Sequence, residues 1–408
     1  MSAEVPPMKR AKRRRVIIPI LAVFVLALVG AFAWGARGYL SSRHAADQVE
    51  ARLSDIYGGR VRLEAVDIGT NHSELKGIRL YEKDGEEEDP WLVVDGARTD
   101  IGAWAIFGDN PAASDLELNG ATITLRIDEA GHLVTRIPRP TERKRALPNV
   151  HLRDGTLIFR QAGRPAFTIQ GIEASMELED GRFVVQGRTA DPVWGEWTAT
   201  GTIDAKTGAG ESRFQTRRVD LTIDKLRTVP FVATSVWDEV QSEGTTPVDF
   251  TLRFDPPAGS WKYRIVLHPE NAWVHVRAID LRADQVKGEA VIEDAVVTLK
   301  DLQGRTADGD IHTSADMDFR KRPKEMDFRV GVSGVDIRRL PKSWHLSILA
   351  VGRLKGDAVL KVLVGGEPHV LTTGGGDGFI NRALPVKLVY EGNRPHFTFS
   401  SGLAPTQP

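Results

Sequence analysis

The sequence predicts a mostly β protein, in which an N-terminal transmembrane helix precedes an elongated, curled antiparallel β-sheet with a few short helices. Three observations support this fold class. An uncharged apolar run occupies residues 16–36, directly after a basic cluster. Beyond residue 60, apolar and polar residues alternate with a period of two over long stretches. A hexapeptide, Gln186 to Asp191, returns unchanged as Gln303 to Asp308, which is typical of tandem copies of one module.

The composition excludes several classes of function. The 408 residues include 54 Lys and Arg against 55 Asp and Glu, and this near balance argues against a general nucleic-acid binder. The chain has no cysteine, so neither a disulfide framework nor a thiolate metal site can form.

Residues 16–36 are the predicted transmembrane helix. At about 1.5 Å per residue the run is roughly 30 Å long, which matches the hydrocarbon core of a bilayer. The basic cluster at residues 1–15 favours a cytoplasmic N-terminus, with the rest of the chain on the other side of the membrane. The alternative is a cleaved signal peptide, because Ala31-Phe32-Ala33 fits a cleavage site and predicts a mature N-terminus near Trp34.

An amphipathic helix is predicted for residues 41–58. Ala45, Val49 and Leu53 form an apolar stripe at helical spacing, and Gly58-Gly59 ends the pattern. It either caps the first strands or lies on the membrane surface.

Strict alternation predicts strands with one apolar and one solvated face, the antiparallel pattern. Residues 121–128, 172–179 and 248–255 show it clearly. Turn sequences at Asp154-Gly155, Asp180-Gly181 and Asp308-Gly309 predict hairpins between strands. Residues 226–241 and 340–349 are predicted to form short helices that pack on the sheet.

The repeats and the proline-rich stretches predict the domain limits. Residues 116–123 and 150–157 share a pattern that we interpret as strand, tight turn, strand, and residues 136–148 form a linker between them. We expect an N-terminal β region at 61–138, one β module at 149–255, a second at 260–364, and C-terminal strands with a disordered tail at 365–408. Because Gly-Arg-Thr-Ala-Asp occurs in both modules, we interpret it as a strand end with Arg and Asp paired across a turn; contact with lipid headgroups or a partner is the alternative.

Several segments resemble the AsmA-like family of bacterial envelope proteins, which includes TamB. The order of anchor and amphipathic helix is similar, and residues 61–66, 75–80 and 116–133 are similar to that family's opening strands. The spacing of glycine and hydrophobic residues at 299–319 and 335–360 is also similar to the repeats of that family. The resemblance implies a long curled sheet with an apolar inner groove, and a part in phospholipid transport between membranes or in outer-membrane assembly. It implies no catalytic residues.

If the sheet curls with its apolar face inward, that face forms a groove that can shelter acyl chains. The periodicity alone leaves open a closed sandwich filled by its own side chains. The candidate groove-lining residues are Ile123, Leu125, Met176, Phe250, Phe328 and Val330.

We recognise no catalytic, metal-binding or phosphate-binding motif in the sequence. The histidines are scattered, and no H-E-x-x-H or G-x-S-x-G occurs. Asp308, Asp310 and His312 would share a strand face, which a solvated polar surface explains better than a metal site. Residues 373–378 are glycine-rich but lack the context of a phosphate-binding loop, so they are interpreted as a flexible turn. We therefore expect no enzyme, no metal and no cofactor.

The sequence thus favours a single-pass protein of the bacterial inner membrane with its bulk in the periplasm. Its expected partners are the membrane, phospholipid and another envelope protein, with no nucleic acid. A membrane-anchored scaffold or binding module with closed β domains is the alternative, and a cleaved, secreted carbohydrate-binding protein is a third hypothesis.

Overall fold

The computed structural model describes residues 47, 50, 51, 53, 54, 57–69, 71–82, 89–100, 114–129, 131–136, 148–255, 260–344, 351–366, 369–382, 384–391 and 394–399. This part of the chain is mostly β, as the sequence predicts. The strands are β1 Val61–Arg62, β2 Ala65–Ile68, β3 Ser73–Leu80, β4 Leu92–Thr99, β5 Asp115–Ile127, β6 Asn149–Gln161, β7 Phe167–Glu179, β8 Arg182–Asp191, β9 Gly195–Asp204, β10 Gly210–Leu221, β11 Val240–Asp255, β12 Ser260–Leu267, β13 Ala272–Val276, β14 Leu281–Glu293, β15 Val296–Thr306, β16 Gly309–Asp318, β17 Lys324–Asp336, β18 Arg353–Val364, β19 Val370–Ile380, β20 Leu384–Glu391 and β21 Arg394–Phe399.

All 21 strands belong to one hydrogen-bonded sheet. Most strands pair antiparallel with the next strand along the chain, so the sheet is a long meander. Two positions hold a pair of strands end to end: β1 and β2 both pair with β3, and β12 and β13 both lie between β11 and β14. The sheet is continuous through the predicted boundary at 255–260, because β11 pairs directly with β12.

Strands β5 and β6 form the one parallel pair among the described strands. Here the two similar segments of the sequence lie side by side and in register, with Leu118 opposite Leu152 and Ile123 opposite Leu157. The predicted tight turn inside each segment is wrong. Gly120 (φ 63°) and Asp154 (φ 51°) adopt left-handed backbone conformations within unbroken strands, so each forms a bulge at the same position.

The longer repeat occupies matching places in the sheet. Gln186–Asp191 ends β8 and Gln303–Thr306 ends β15, each before the turn into the next strand. The expected Arg–Asp pairing across the turn is wrong for the first copy, because Arg188 forms an ion pair with Glu173 on β7. In the second copy Arg305 donates to the backbone carbonyl of Asp308, not to its carboxylate.

Two short helices, α1 (Ile223–Thr228) and α2 (Thr234–Glu239), replace the single helix predicted at 226–241. Their counterpart in the second module is reduced to two 3-10 turns, Ile337–Arg339 and Lys342–Trp344, and residues 345–349 lie outside the described residues. Near the N-terminus, the described residues between 47 and 57 are helical, and Leu53 and Tyr57 pack in a core with β3 to β8.

The predicted transmembrane run at 16–36 lies outside the described residues. Within the described part of the chain, no helix combines the length and the apolar character needed to cross a bilayer.

The glycine-rich segment at 373–378 is not a turn. It lies in the middle of β19, which pairs with β18 from Val370 to Ile380. A Cβ on Gly376 would overlap the carbonyl oxygen of Asp357, and one on Gly374 would overlap that of Val359. The glycines therefore allow a closer approach of two backbones than any side chain would permit.

Candidate functional site: the apolar face of the sheet

One row of side chains runs across most of the sheet on a single face. Residues directly opposite each other on neighbouring strands project to the same side, so the register alone defines the row. We call it the apolar row: Val66, Leu75, Ala97, Leu118, Leu152, Ala174, Gly187, Ala199, Phe214, Phe250, Ile265, Ile292, Val297, Met317, Met326, Val362 and Thr372. At about 4.8 Å per strand it is roughly 75 Å long. Only its last member is polar.

Burial divides the apolar row into three parts. Near the N-terminal end, Leu75, Ala97 and Leu118 are buried, and from Ile292 to Thr372 every member is buried, with Met317 and Met326 at 0% exposure. The members between these ends are all partly exposed. We call them the row centre: Leu152, Ala174, Gly187, Ala199, Phe214, Phe250 and Ile265. The face is thus covered at both ends and less covered in the middle.

All six candidate lining residues lie on this face, but their environments differ. Phe250 belongs to the row centre, and Met176 is two residues along β7 from Ala174. Met176 (8% exposed) and Phe328 (2% exposed) are buried in the protein's own core. Ile123, Leu125 and Val330 are partly buried against those cores.

Sequence reasoning missed most of the row centre. Gly187 and Ala199 are too small to be recognised as apolar positions, although each lies between two polar residues on β8 or β9. Phe214 stands alone among polar residues on β10, where it stacks on Phe250 at 5.4 Å between ring centroids. If glycine and alanine are counted as inward-facing residues, the sequence of β9 also alternates with a period of two and predicts a strand.

Residues 222–239, with α1 and α2, form a first strap across the apolar face. Beside β6, Arg164 donates to the carbonyl oxygen of Val229 at 2.8 Å. At the far end of the strap, Lys324 at the start of β17 lies 3.5 Å from Glu239. Phe231 contacts Phe159 of β6 at 5.7 Å and Trp261 of β12 at 5.9 Å between ring centroids. These contacts join strands that are far apart in the order of the sheet.

Residues 337–344 form a second, shorter strap at the equivalent place in the second module. Trp344 donates its Nε1–H to the carbonyl oxygen of Ile279 at 2.8 Å, and Ser343 donates to Asp280 at 2.5 Å. Leu340 and Trp344 pack with Val335 and Ile380 in a small core of their own. Each strap thus packs in a core on the apolar face, the first with Ile292 and Val297 and the second with Val335 and Ile380.

Beneath each strap lies a small apolar cavity. The cavity under the first strap has a volume of about 60 Å³, and the one under the second about 70 Å³. An apolar cavity of about 150 Å³ holds a single benzene molecule, so neither of these smaller cavities accommodates a whole acyl chain. On this face, a long apolar ligand would therefore lie on the row centre, where the described side chains are partly exposed.

The apolar row contributes no charged side chain to this face. Tyr263 and Tyr390 lie on it, and burial raises the pKa of both phenols, that of Tyr390 to about 12. Both stay neutral at physiological pH. Charged side chains lie on the opposite face, where Arg213 pairs with Asp249 and Arg253 with Glu211.

No metal site is formed by the described residues, because nowhere do three His, Asp or Glu side chains converge. The candidate metal ligands have separate partners: Asp308 pairs with Arg339 at 2.9 Å, while His312 lies 3.6 Å from Asp357.

No protein-family model, curated protein or solved structure matches the chain. The comparisons therefore assign no family, and function has to follow from the geometry of the apolar face.

Proposed function

We propose that the protein is a membrane-anchored periplasmic protein whose apolar face holds the acyl chains of phospholipids, and that it acts in phospholipid transport between membranes or in outer-membrane assembly. The observation that carries the proposal is the row centre, a stretch of apolar and small side chains that is less covered than both ends of the same row.

The size of the row centre suits an acyl chain. At about 4.8 Å per strand it is roughly 30 Å long, about twice the thickness of one lipid leaflet. Each CH₂ that leaves water for such a surface contributes about 0.8 kcal/mol. Contact along several methylenes therefore holds a chain without any specific polar group.

The sequence supports the cellular setting of the proposal. The basic cluster and the apolar run at 16–36 favour a single-pass inner-membrane anchor with a cytoplasmic N-terminus. The resemblance of residues 61–133 to the AsmA-like family points in the same direction. An envelope partner would receive or deliver the lipid.

The alternative function is a membrane-anchored scaffold with closed β domains and no lipid cargo. At both ends of the apolar row this alternative is favoured, because the side chains are buried there and the two straps pack on the face. The two hypotheses differ in what covers the row centre.

The test compares two neighbouring positions on β9. Ala199 lies in the row centre, whereas Thr200 is exposed on the opposite face. Ala199→Glu and Thr200→Glu would be introduced into the full chain, and the purified proteins compared for co-purified phospholipid by mass spectrometry. We expect lipid with the wild type and with Thr200→Glu, and at least about tenfold less with Ala199→Glu, since a carboxylate on an apolar surface is costly to desolvate.

Thermal unfolding of both variants is the control for folding. Wild-type protein without phospholipid, or equal lipid in two variants of equal stability, would contradict the proposal and favour the scaffold.

A further inference from the structure

Trp237 of α2 has a buried hydrogen-bond donor without an acceptor. The side chain is 5% exposed, and no group among the described residues accepts a hydrogen bond from its Nε1–H. A buried polar hydrogen without a partner is costly, and native proteins rarely keep one.

The second module shows what the equivalent tryptophan does when it is paired. Trp344 follows Val335-Asp336-Ile337, and Trp237 follows the similar segment Val219-Asp220-Leu221. The Nε1–H of Trp344 donates to the carbonyl oxygen of Ile279 at 2.8 Å. Both tryptophans lie in a strap over the apolar face. The first strap places its indole against a cavity instead of a carbonyl.

That cavity joins the indole to the apolar face. Trp237 lines it together with Ile292 and Val297 of the apolar row. Leu267, another lining residue, is two positions along β12 from Ile265 of the row centre. The space under the strap thus borders the partly exposed part of the face.

The chemistry of the cavity defines the group that it would receive. Its lining contains no charged side chain, so a carboxylate or phosphate would be desolvated without compensation. Of the two hydroxyls in the lining, that of Thr246 donates to the carbonyl oxygen of Pro247 at 2.8 Å. A volume of about 60 Å³ accommodates a carbonyl group and the first methylene beside it, but not a chain.

We infer that Trp237 Nε1–H donates a hydrogen bond to the ester carbonyl oxygen of a phospholipid whose acyl chain lies on the row centre. The inference rests on the proposed function, and it makes the cavity under the first strap a site for the polar end of the chain. An acyl ester is both neutral and joined to an apolar chain, as the cavity and the adjoining face require.

The experiment compares two lipids that differ only in the carbonyl group. The full chain is purified in detergent and mixed with equal amounts of dipalmitoyl phosphatidylcholine and its dihexadecyl ether analogue, and native mass spectrometry measures the bound ratio. We expect the wild type to prefer the ester by roughly fivefold, the range of one net hydrogen bond. Trp237→Phe should bind both lipids equally. Trp344→Phe, which alters the paired tryptophan, should keep the preference.

The outcomes separate this inference from the proposed function. Equal binding of ester and ether by the wild type would overturn the inference and leave the function standing, as would an unchanged preference in Trp237→Phe. Binding of neither lipid would overturn both. Displacement of the ester by an equal amount of free palmitate would overturn the assignment to an ester and point to a fatty acid.

Discussion

At the scale of single residues, the repeated hexapeptide shows how one sequence serves two environments. Asp191 is 5% exposed, and its carboxylate accepts from the backbone N–H groups of Gln170, Val193 and Trp194, each at 2.7 Å. Asp308, its counterpart, is exposed and pairs with Arg339. The first aspartate holds the turn between β8 and β9, whereas the second lies beside the second strap.

We therefore expect the same substitution to differ in cost at the two positions. In Asp191→Asn, one side-chain oxygen becomes an NH₂ group that cannot accept, so a buried N–H loses its partner and the free energy of unfolding falls by about 2 kcal/mol. In Asp308→Asn only an exposed ion pair is lost, which costs under about 1 kcal/mol. Urea unfolding of both variants measures the difference. Equal losses would contradict the role assigned to Asp191.

At the scale of elements, β19 shows what glycines do inside this sheet. Gly356 on β18 and Gly378 on β19 are directly opposite, and Ala358 is opposite Gly376. Small residues on both strands let the backbones approach closely and form one wall of the cavity under the second strap. The absence of side chains thus determines the local shape of the sheet.

Gly376→Ala should therefore be strongly destabilising. The new Cβ would overlap the carbonyl oxygen of Asp357, and overpacking of this kind costs about 3 kcal/mol. Gly96→Ala on β4 is the matched control, because its Cβ would come no closer than 3.9 Å to another group. That change should be neutral or slightly stabilising in urea unfolding. A loss below about 1 kcal/mol in Gly376→Ala would show that β18 and β19 adjust easily.

The elements also show where prediction from the sequence succeeds and where it fails. Period-two alternation correctly predicts β5, β7 and β11, because one face of each strand is apolar. Asn119-Gly120 and Asp154-Gly155 were predicted as turns, since the same residues favour left-handed backbone in hairpins and in bulges. The difference depends on the neighbouring strand: β5 and β6 pair along both sides of the bulge, and local sequence does not encode that pairing.

At the scale of the whole molecule, the sheet places a row of apolar side chains on one face, and the straps cover part of that face. The six candidate lining residues predicted from the sequence all lie on this face, but Met176 and Phe328 are enclosed by the protein itself. Both are buried with residues that are distant in the chain: Phe328 shares a core with the first strap, and Met176 shares one with Leu53 and Tyr57. The period-two pattern within a strand does not predict such distant contacts.

The central claim is that the row centre is open to lipid. Because the natural chain has no cysteine, one cysteine in place of Ala199 or of Thr200 gives a unique attachment point for a benzophenone cross-linker. Each variant of the full chain would be labelled in membranes and illuminated, and adducts identified by mass spectrometry. We expect phospholipid adducts at position 199 in the row centre and few at position 200 on the opposite face. Adducts at neither position, or equal yields at both, would contradict the account.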